Sequence, residues 1–380
     1  VGIDLGFFHE RVNLIVDWYK KVSKDMLMSL QLPSYMGTSG NASSALAAPM
    51  GNYGDIENKG WEISLNTHPL IGAFEWDSDF QISFNRNKLR ALDGTANAQI
   101  VGFGQWSDVV SVSNVGESLY NFYGYVCDGV YEDLEDLQTS AKPAKYPADG
   151  VFNRTNTVWV GDIKYKDLNG DGVIDENDRT NIGSPLPKFT FGWTNTFRYK
   201  NFDLSLFING SYGNKVFNYL GMKLTHMNSP WSNQLNTVLD RAQIVPIDPN
   251  KDYSAGVVVN GVTIYNWYDD ITNVRVANAG ATIPRASIQD PNDNDRISDR
   301  YIEDGSYIRL KNITLGYTFP GKIIKKWGLD NLRVYANIQN LLTITGYSGY
   351  DPEIGASTAS ANVYGLDNGR YLWGTERNVY

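Results

Sequence analysis

The run Phe74-Glu75-Trp76-Asp77-Ser78-Asp79-Phe80-Gln81-Ile82-Ser83-Phe84-Asn85 alternates large apolar with polar residues almost without exception. Successive side chains of an extended chain point to opposite faces, so this stretch makes a strand with one greasy and one wet side, a sorting that no helix achieves. The pattern returns at 188–199, where Phe189, Phe191, Trp193, Phe197 and Tyr199 alternate with Thr190, Gly192, Thr194, Thr196 and Arg198. It returns again at 202–213 (Phe202, Leu204, Leu206, Ile208, Tyr212) and at 332–340 (Leu332, Val334, Ala336, Ile338). Further runs lie at 1–8, 12–27, 56–68, 306–319 and, weakly, 371–380, about nine strands in all. Around Lys311 the phase slips, since Ile308 and Leu310 share one parity and Ile313, Leu315, Tyr317 and Phe319 the other; this predicts a bulge.

Several of these strands exceed the roughly five or six residues usual in soluble sheets and match the roughly 9–11 that cross a bilayer at a tilt. The connections alternate strictly. Short ones fall at 9–11, 69–73, 200–201 and 320–331, whereas 28–55, 89–186, 215–305 and 345–370 are long. Short turns on one side and long loops on the other are the layout of an outer-membrane barrel. The expected class is therefore all-β, a transmembrane antiparallel β-barrel with long extracellular loops. The alternatives are a secreted, calcium-stabilised β-sandwich that binds carbohydrate, and a glycoside hydrolase domain. Composition narrows the field further. A net charge of −9 argues against a nucleic-acid partner, which needs a basic footprint. The single cysteine, Cys127, permits no internal disulfide and no CxxC motif.

Several stretches then bring a family into view. "GDIKYKDLNGDGVIDENDRTNIGSPLPKFTFGWTNTFRYKNFDLSLFINGSYGNKVFN", "NKGWEISL", "YIEDGSYIRLKNITLGYTFP" and "LRVYANIQNLLTITGYSGYDPE" resemble the C-terminal half of SusC/RagA-type TonB-linked outer-membrane transporters of Bacteroidetes. The resemblance covers essentially the whole chain. It implies the C-terminal portion of a large plugged barrel of about 22 strands, importing glycans or oligopeptides with a SusD-like surface lipoprotein as lid. TonB would supply the energy through regions absent from this chain. Against a complete member, no plug or TonB-contacting segment is seen, and the chain stops at "ERNVY" without the family's usual C-terminal Phe. The expectation is a piece of a longer polypeptide, embedded in outer-membrane lipid.

"DLNGDGVIDEND" at 167–178 reads like a calcium loop. Asp167, Asn169 and Asp171 stand at positions 1, 3 and 5, Gly172 at the turn, the Val173 carbonyl at 7, Asp175 at 9 and Asp178 at 12. Aspartate at the last position reaches less far than the usual glutamate, and the flanks read as strand and loop rather than as helices. The expectation is a structural Ca²⁺ or Mg²⁺ pinning a long loop, against an Asx-rich turn whose carboxylates accept backbone N–H groups.

Enzyme signatures are weak. His9, His68 and His226 are scattered and read as surface or turn residues, "GTSGN" around Ser39 fails the GxSxG spacing, and the acidic "YEDLEDL" reads as a solvated helix face. No catalytic residue is assigned. Trp18, Tyr19, Trp61, Trp76 and Trp193, on or near strands, are expected in the interfacial girdle. The loop aromatics Trp159, Trp231, Trp267, Tyr268, Tyr347 and Trp373 are the candidate platforms for a sugar or peptide, their flat faces and polar edges suiting either.

Overall fold

The computed structural model describes residues 1–29, 50–52, 54–92, 98–104, 108–228, 231–355 and 363–367. Eight long strands form one antiparallel sheet in unbroken sequence order: β1 (Gly2–Phe7), β2 (Val12–Ser23), β3 (Asp55–Leu70), β4 (Phe74–Ala91), β5 (Phe189–Tyr199), β6 (Phe202–Tyr212), β7 (Tyr307–Thr318) and β8 (Arg333–Thr345). A single meander is the topology of a barrel wall. The sandwich alternative, which would divide these strands between two packed sheets, is set aside. No helix among the described residues is long and apolar enough to cross a membrane. The ninth run, 371–380, lies outside the described residues.

Register explains the alternation. Leu14, Leu65, Phe80, Trp193, Ile208 and Leu310 stand side by side across six strands, and Val16, Ile63, Ile82 and Phe191 form the next row. Aromatic rows bound this apolar band at both ends. Trp18, Trp61 and Phe84 are paired in register at the long-loop end and continue through Phe189 and Tyr212, with ring centroids 5.7 and 5.1 Å apart. Phe74, Tyr199, Phe202 and Tyr317 line the short-turn end. Phe74 to Phe84, Phe189 to Tyr199 and Phe202 to Tyr212 are the same distance apart along their strands. At a rise of about 3.4 Å per residue and a tilt near 40°, that distance spans roughly 25 Å, the height of the lipid-facing band of an outer-membrane barrel.

Two girdle expectations are corrected. Trp193 lies in the middle row, not at a border, and its indole N–H donates to Ser78 Oγ at 2.9 Å. Trp76 likewise donates to Asn195 Oδ1 at 3.0 Å. These two bonds satisfy polar groups that hydrocarbon would otherwise strand. Tyr19 has the opposite parity and belongs to the wet face, where it crosses Gly60 to donate to Asn85 Oδ1 at 3.1 Å. A Cβ on Gly60 would lie 2.6 Å from the Tyr19 hydroxyl oxygen and 2.1 Å from the Phe84 carbonyl oxygen. Only glycine admits that crossing.

The wet face carries ion pairs toward the short turns: Arg198 with Asp77 (2.6 Å), His68 with Asp77 (2.6 Å) and Arg333 with Asp203 (2.5 Å). The bulge falls where the phase slip placed it. Phe207 and Ile208 of β6 pair with Asn312 and Leu310 of β7, so Lys311 is the extra residue. Packed cores lie elsewhere, in the long connections after β4, β6 and β8.

Arginine at Phe80 or Ile208, in mid-band, is expected to destabilise the assembled barrel by roughly 2–4 kcal/mol, and at Val334, beside the short-turn border, by about 0–1. Arginine at Asp79 or Ser205, on the wet face, is expected to be mild. Unfolding equilibria of the full-length protein in lipid vesicles check the gradient; equal tolerance on both faces would exclude the barrel.

Candidate functional site

The connections 92–188 and 213–306 fold together beyond the long-loop end of the sheet. Their shared apolar core takes Tyr131, Leu137, Val158, Trp159, Val160 and Ile174 from the first, and Ala242, Ile271, Val274 and Val276 from the second. Helix α1 (Leu134–Thr139) begins at Asp133, whose carboxylate caps the N–H of Asp136, and buries Leu137 in this core. The acidic run "YEDLEDL" is therefore a capped helical turn. Helix α2 (Tyr219–Thr225) buries Tyr219 and Met222 in a second core with Phe122 and Phe217.

A buried polar chain ties the two connections together. Arg285 donates to Asp162 through Nε (2.7 Å) and Nη2 (3.2 Å), the two residues being 5% and 0% exposed. Asn294 donates to Asp162 Oδ1, and both its backbone N–H and its side-chain amide donate to Asp290. Asp290 meets His226 Nε2 at 2.8 Å, His226 Nδ1 meets Asp295 at 3.0 Å, and Lys223 reaches Asp295 at 3.2 Å. His226 is thus enclosed between two carboxylates rather than at the surface, a correction to the sequence reading. "DPNDNDR" carried the signal only as a polar loop, because the partner histidine lies some sixty residues away.

The predicted ligand platforms divide. Trp159 is 1% exposed inside the loop core, and Tyr347 is 6% exposed with its hydroxyl donating to Asp367 at 2.8 Å. Neither has a face to offer, so both are structural, and the expectation of ligand contact there is corrected. Trp267 packs partly on the loop core and stands edge-on to Tyr268, centroids 5.8 Å apart. Tyr268 is half-exposed, with the Arg154 guanidinium 5.0 Å from its ring centre and Arg154 paired to Asp269 at 3.0 Å. Beside them a cleft of about 410 Å³ opens between Asn153, Arg154, Asn260, Tyr265 and Asn266, a site that sequence reasoning missed. Trp231 is 93% exposed, away from this group in sequence. Trp373 lies outside the described residues.

The calcium-like loop is a dense set of Asx turns. Asp167 accepts from the N–H groups of Gly170 and Gly172, Asn169 from Asp171, Asp171 from Val173 and Asp175 from Asn177. Asp178, fully buried, accepts from the N–H groups of Leu168 and Asp175 and so closes the loop on itself. Gly172 sits at φ 82°, the left-handed turn that the pattern demands. The flanks are strands at Ile163–Tyr165 and Thr180–Gly183, not helices, and a 3₁₀ turn at Glu176–Asp178 closes the loop itself. These carboxylates are engaged with backbone N–H groups, and among the described residues the acidic and histidine donors that lie within 4.8 Å of one another are His226, Asp290 and Asp295, so a hard cation at 167–178 would have to draw Asp167, Asp171, Asp175 and Asp178 together.

No family model matches the chain. It is 32% identical over 379 residues, 98% of its own length, to TonB-dependent receptor P3 of Formosa agariphila. It is 27% identical over 367 residues to TonB-dependent receptor SusC of Bacteroides thetaiotaomicron. The chain belongs to the SusC/RagA-like TonB-dependent receptors. It spans about a third of the length of these relatives, 32% and 30% respectively. A solved structure of the RagAB peptide transporter superposes on 96% of the chain with a TM-score of 0.63 at 19% identity, which shows a shared fold. The matched proteins are named as TonB-dependent receptors and as a peptide transporter.

In this SusC/RagA-like receptor the histidine cluster acts as an ion-pair clamp. Its three donors lie within 4.8 Å of one another. However, the two ring nitrogens face different carboxylates and Lys223 already neutralises Asp295, so a proton fits the site better than a metal. Burial alone would lower the His226 pKa, but the hydrogen bonds to Asp290 and Asp295 outweigh it and hold the ring at about 9. Burial alone would raise Asp295, yet His226 and Lys223 bring it to about 2. A raised histidine pKa stabilises fully below the unfolded value near 6.5 and is lost as pH climbs through 9. A depressed aspartate stabilises fully above about 3.9 and is lost as pH falls through 2. The clamp is therefore complete between about pH 4 and 6.5 and weakens progressively above. His226→Ala is expected to cost the loop body roughly 3 kcal/mol by leaving two carboxylates facing each other. Hydrogen exchange at 219–228 and 290–296 followed from pH 5 to 10 checks this. Protection that is unchanged across that range in the native protein would refute the clamp.

Proposed function

We propose that this chain forms part of the barrel wall and outer loops of an outer-membrane importer. The receptor carrying it takes up glycans or oligopeptides with TonB-derived energy, and a SusD-like surface lipoprotein closes over the loops. The observation that carries this reading is the joining of two long loops into one packed body, bearing exposed aromatics, above a lipid-spanning wall. Relatives named as TonB-dependent receptors and a neighbour titled as a peptide transporter support it. Tyr265, Trp267 and Tyr268 are proposed to touch ligand or lid, because flat rings near Arg154, Asn260 and Asn266 suit either a sugar or an extended peptide, and Trp231 is proposed on its exposure alone. Binding here is recognition without turnover, and purified complex should return its ligand chemically intact.

The test is uptake. Tyr268→Ala or Trp267→Ala in the full-length receptor is expected to weaken ligand or lid binding about tenfold while the barrel still assembles. Trp159→Ala should instead loosen the loop body by roughly 3–5 kcal/mol. Loss of import in a TonB-deficient strain is expected, and import that persists there would overturn the transport reading.

We propose further that a structural Ca²⁺ occupies 167–178, held by Asp167, Asn169, Asp171, the Val173 carbonyl, Asp175 and Asp178. Asp171→Ala is then expected to loosen the 92–188 connection and to abolish one equivalent of bound metal in protein never exposed to chelator. Absence of any divalent ion in the unmutated receptor would leave the Asx turns as the sole support of the loop.

A further inference from the structure

The outward face of the sheet changes character just beyond the aromatic row at the long-loop end. Two residues past Trp18, Trp61 and Phe84, in the same parity, stand Lys20, Lys59 and Arg86, with Lys20 directly opposite Lys59 and Lys59 directly opposite Arg86. One pair further out Glu57 faces Lys88, and Arg90 follows on the same side of β4. All five cations are exposed, whereas the Glu57 side chain is only 7% exposed. The chain as a whole carries a net charge of −9, so five cations against one carboxylate is a local reversal.

The pairing makes the reversal costly. Like charges placed directly across neighbouring strands repel by roughly the 0.2–1 kcal/mol that opposite charges gain. Glu57 offsets only part of this, because it is shared between Lys20 at 3.4 Å and Arg90. Asp55, nearby, is turned to the backbone N–H of Asp25 at 3.2 Å. Arg86 donates to the carbonyls of Asn85 and Lys188, which are uncharged. Lys59 and Lys88 form no ion pair among the described residues. A basic row of this kind needs an anion, and its position says which. It lies about 5 Å above the aromatic border, at two residues' rise along a tilted strand, on the side that faces lipid. Below the aromatic row, in the same parity, Val16, Ile63 and Ile82 offer an aliphatic track.

We propose that this face of β2, β3 and β4 is a binding site for a phosphorylated glycolipid of the outer leaflet. The phosphate sits among Lys59, Arg86 and Lys88, and the acyl chains lie along the track below the aromatic row. The assignment rests on the outer-membrane reading above. Neither a free phosphate nor an acidic glycan uses both the charge and the apolar track, and that difference is what a test can read.

The full-length receptor is placed in phosphatidylethanolamine vesicles containing either a phosphorylated disaccharide lipid or its dephosphorylated form, and retention of each lipid is measured. The phosphorylated lipid is expected to bind more tightly. Each of Lys59→Gln, Arg86→Gln and Lys88→Gln should weaken it about fivefold, and the triple variant on the order of a hundredfold. High salt should reduce the preference in the same way. Equal binding of the two lipids would overturn the site while leaving the barrel reading intact; failure of the receptor to assemble in vesicles at all would count against both. Competition by inorganic phosphate or an acidic polysaccharide as strong as by the lipid would also overturn it. If the triple variant does not assemble, the single variants and the salt series decide.

Discussion

Backbone N–H and C=O groups in hydrocarbon have no water to turn to, and everything in this chain follows from where they find partners. Eight strands paired in sequence order satisfy them laterally, and only then can alternate side chains meet lipid on one side and water on the other. The same demand governs side chains on the lipid face. The indoles of Trp76 and Trp193 bond to Asn195 and Ser78, so that a polar row inside the apolar band is closed upon itself.

Beyond the membrane the rule relaxes, and packing takes over. The connections 92–188 and 213–306 hold little regular structure, yet they bury a common core and share the chain of contacts from Arg285 through Asp162, Asn294 and Asp290 to His226. Buried charges of this kind contribute less to net stability than to geometry, since an alternative arrangement of the loops would leave each of them without a partner. The outer loops therefore present a shaped surface, on which Tyr268 stands against Trp267 and the Arg154 guanidinium.

The wall was legible in the sequence because a period of two is written residue by residue. The eight runs, the short turns and the Lys311 bulge all follow from local parity. What escaped was the outer end of β4. There "LRA" reads as the start of the long connection at 89–186, because the strand has left the lipid and its alternation is gone, although pairing with β3 continues to Ala91. Aromatic residues were legible by kind but not by place: nothing local distinguishes Trp159, sealed in a core, from Tyr268, half-exposed on the same loop body. His226 escaped for a different reason. Its carboxylates come from the far end of the same connection, and only tertiary folding brings them within hydrogen-bonding distance. The loop at 167–178 was visible as a pattern, and its Asx turns follow the spacing that the letters specify.

The shared core of the two long connections has a bearing on how such a wall is assembled. Its halves are separated along the chain by the β5–β6 hairpin, which runs from the outer side to the turn at Lys200-Asn201 and back. The outer body is thus a discontinuous unit stitched through the bilayer: its first half waits unpartnered until that hairpin has inserted and delivered the second. Insertion and loop folding are in this way ordered in time, and closure of the apolar core acts as a ratchet that resists withdrawal of the hairpin once it has crossed.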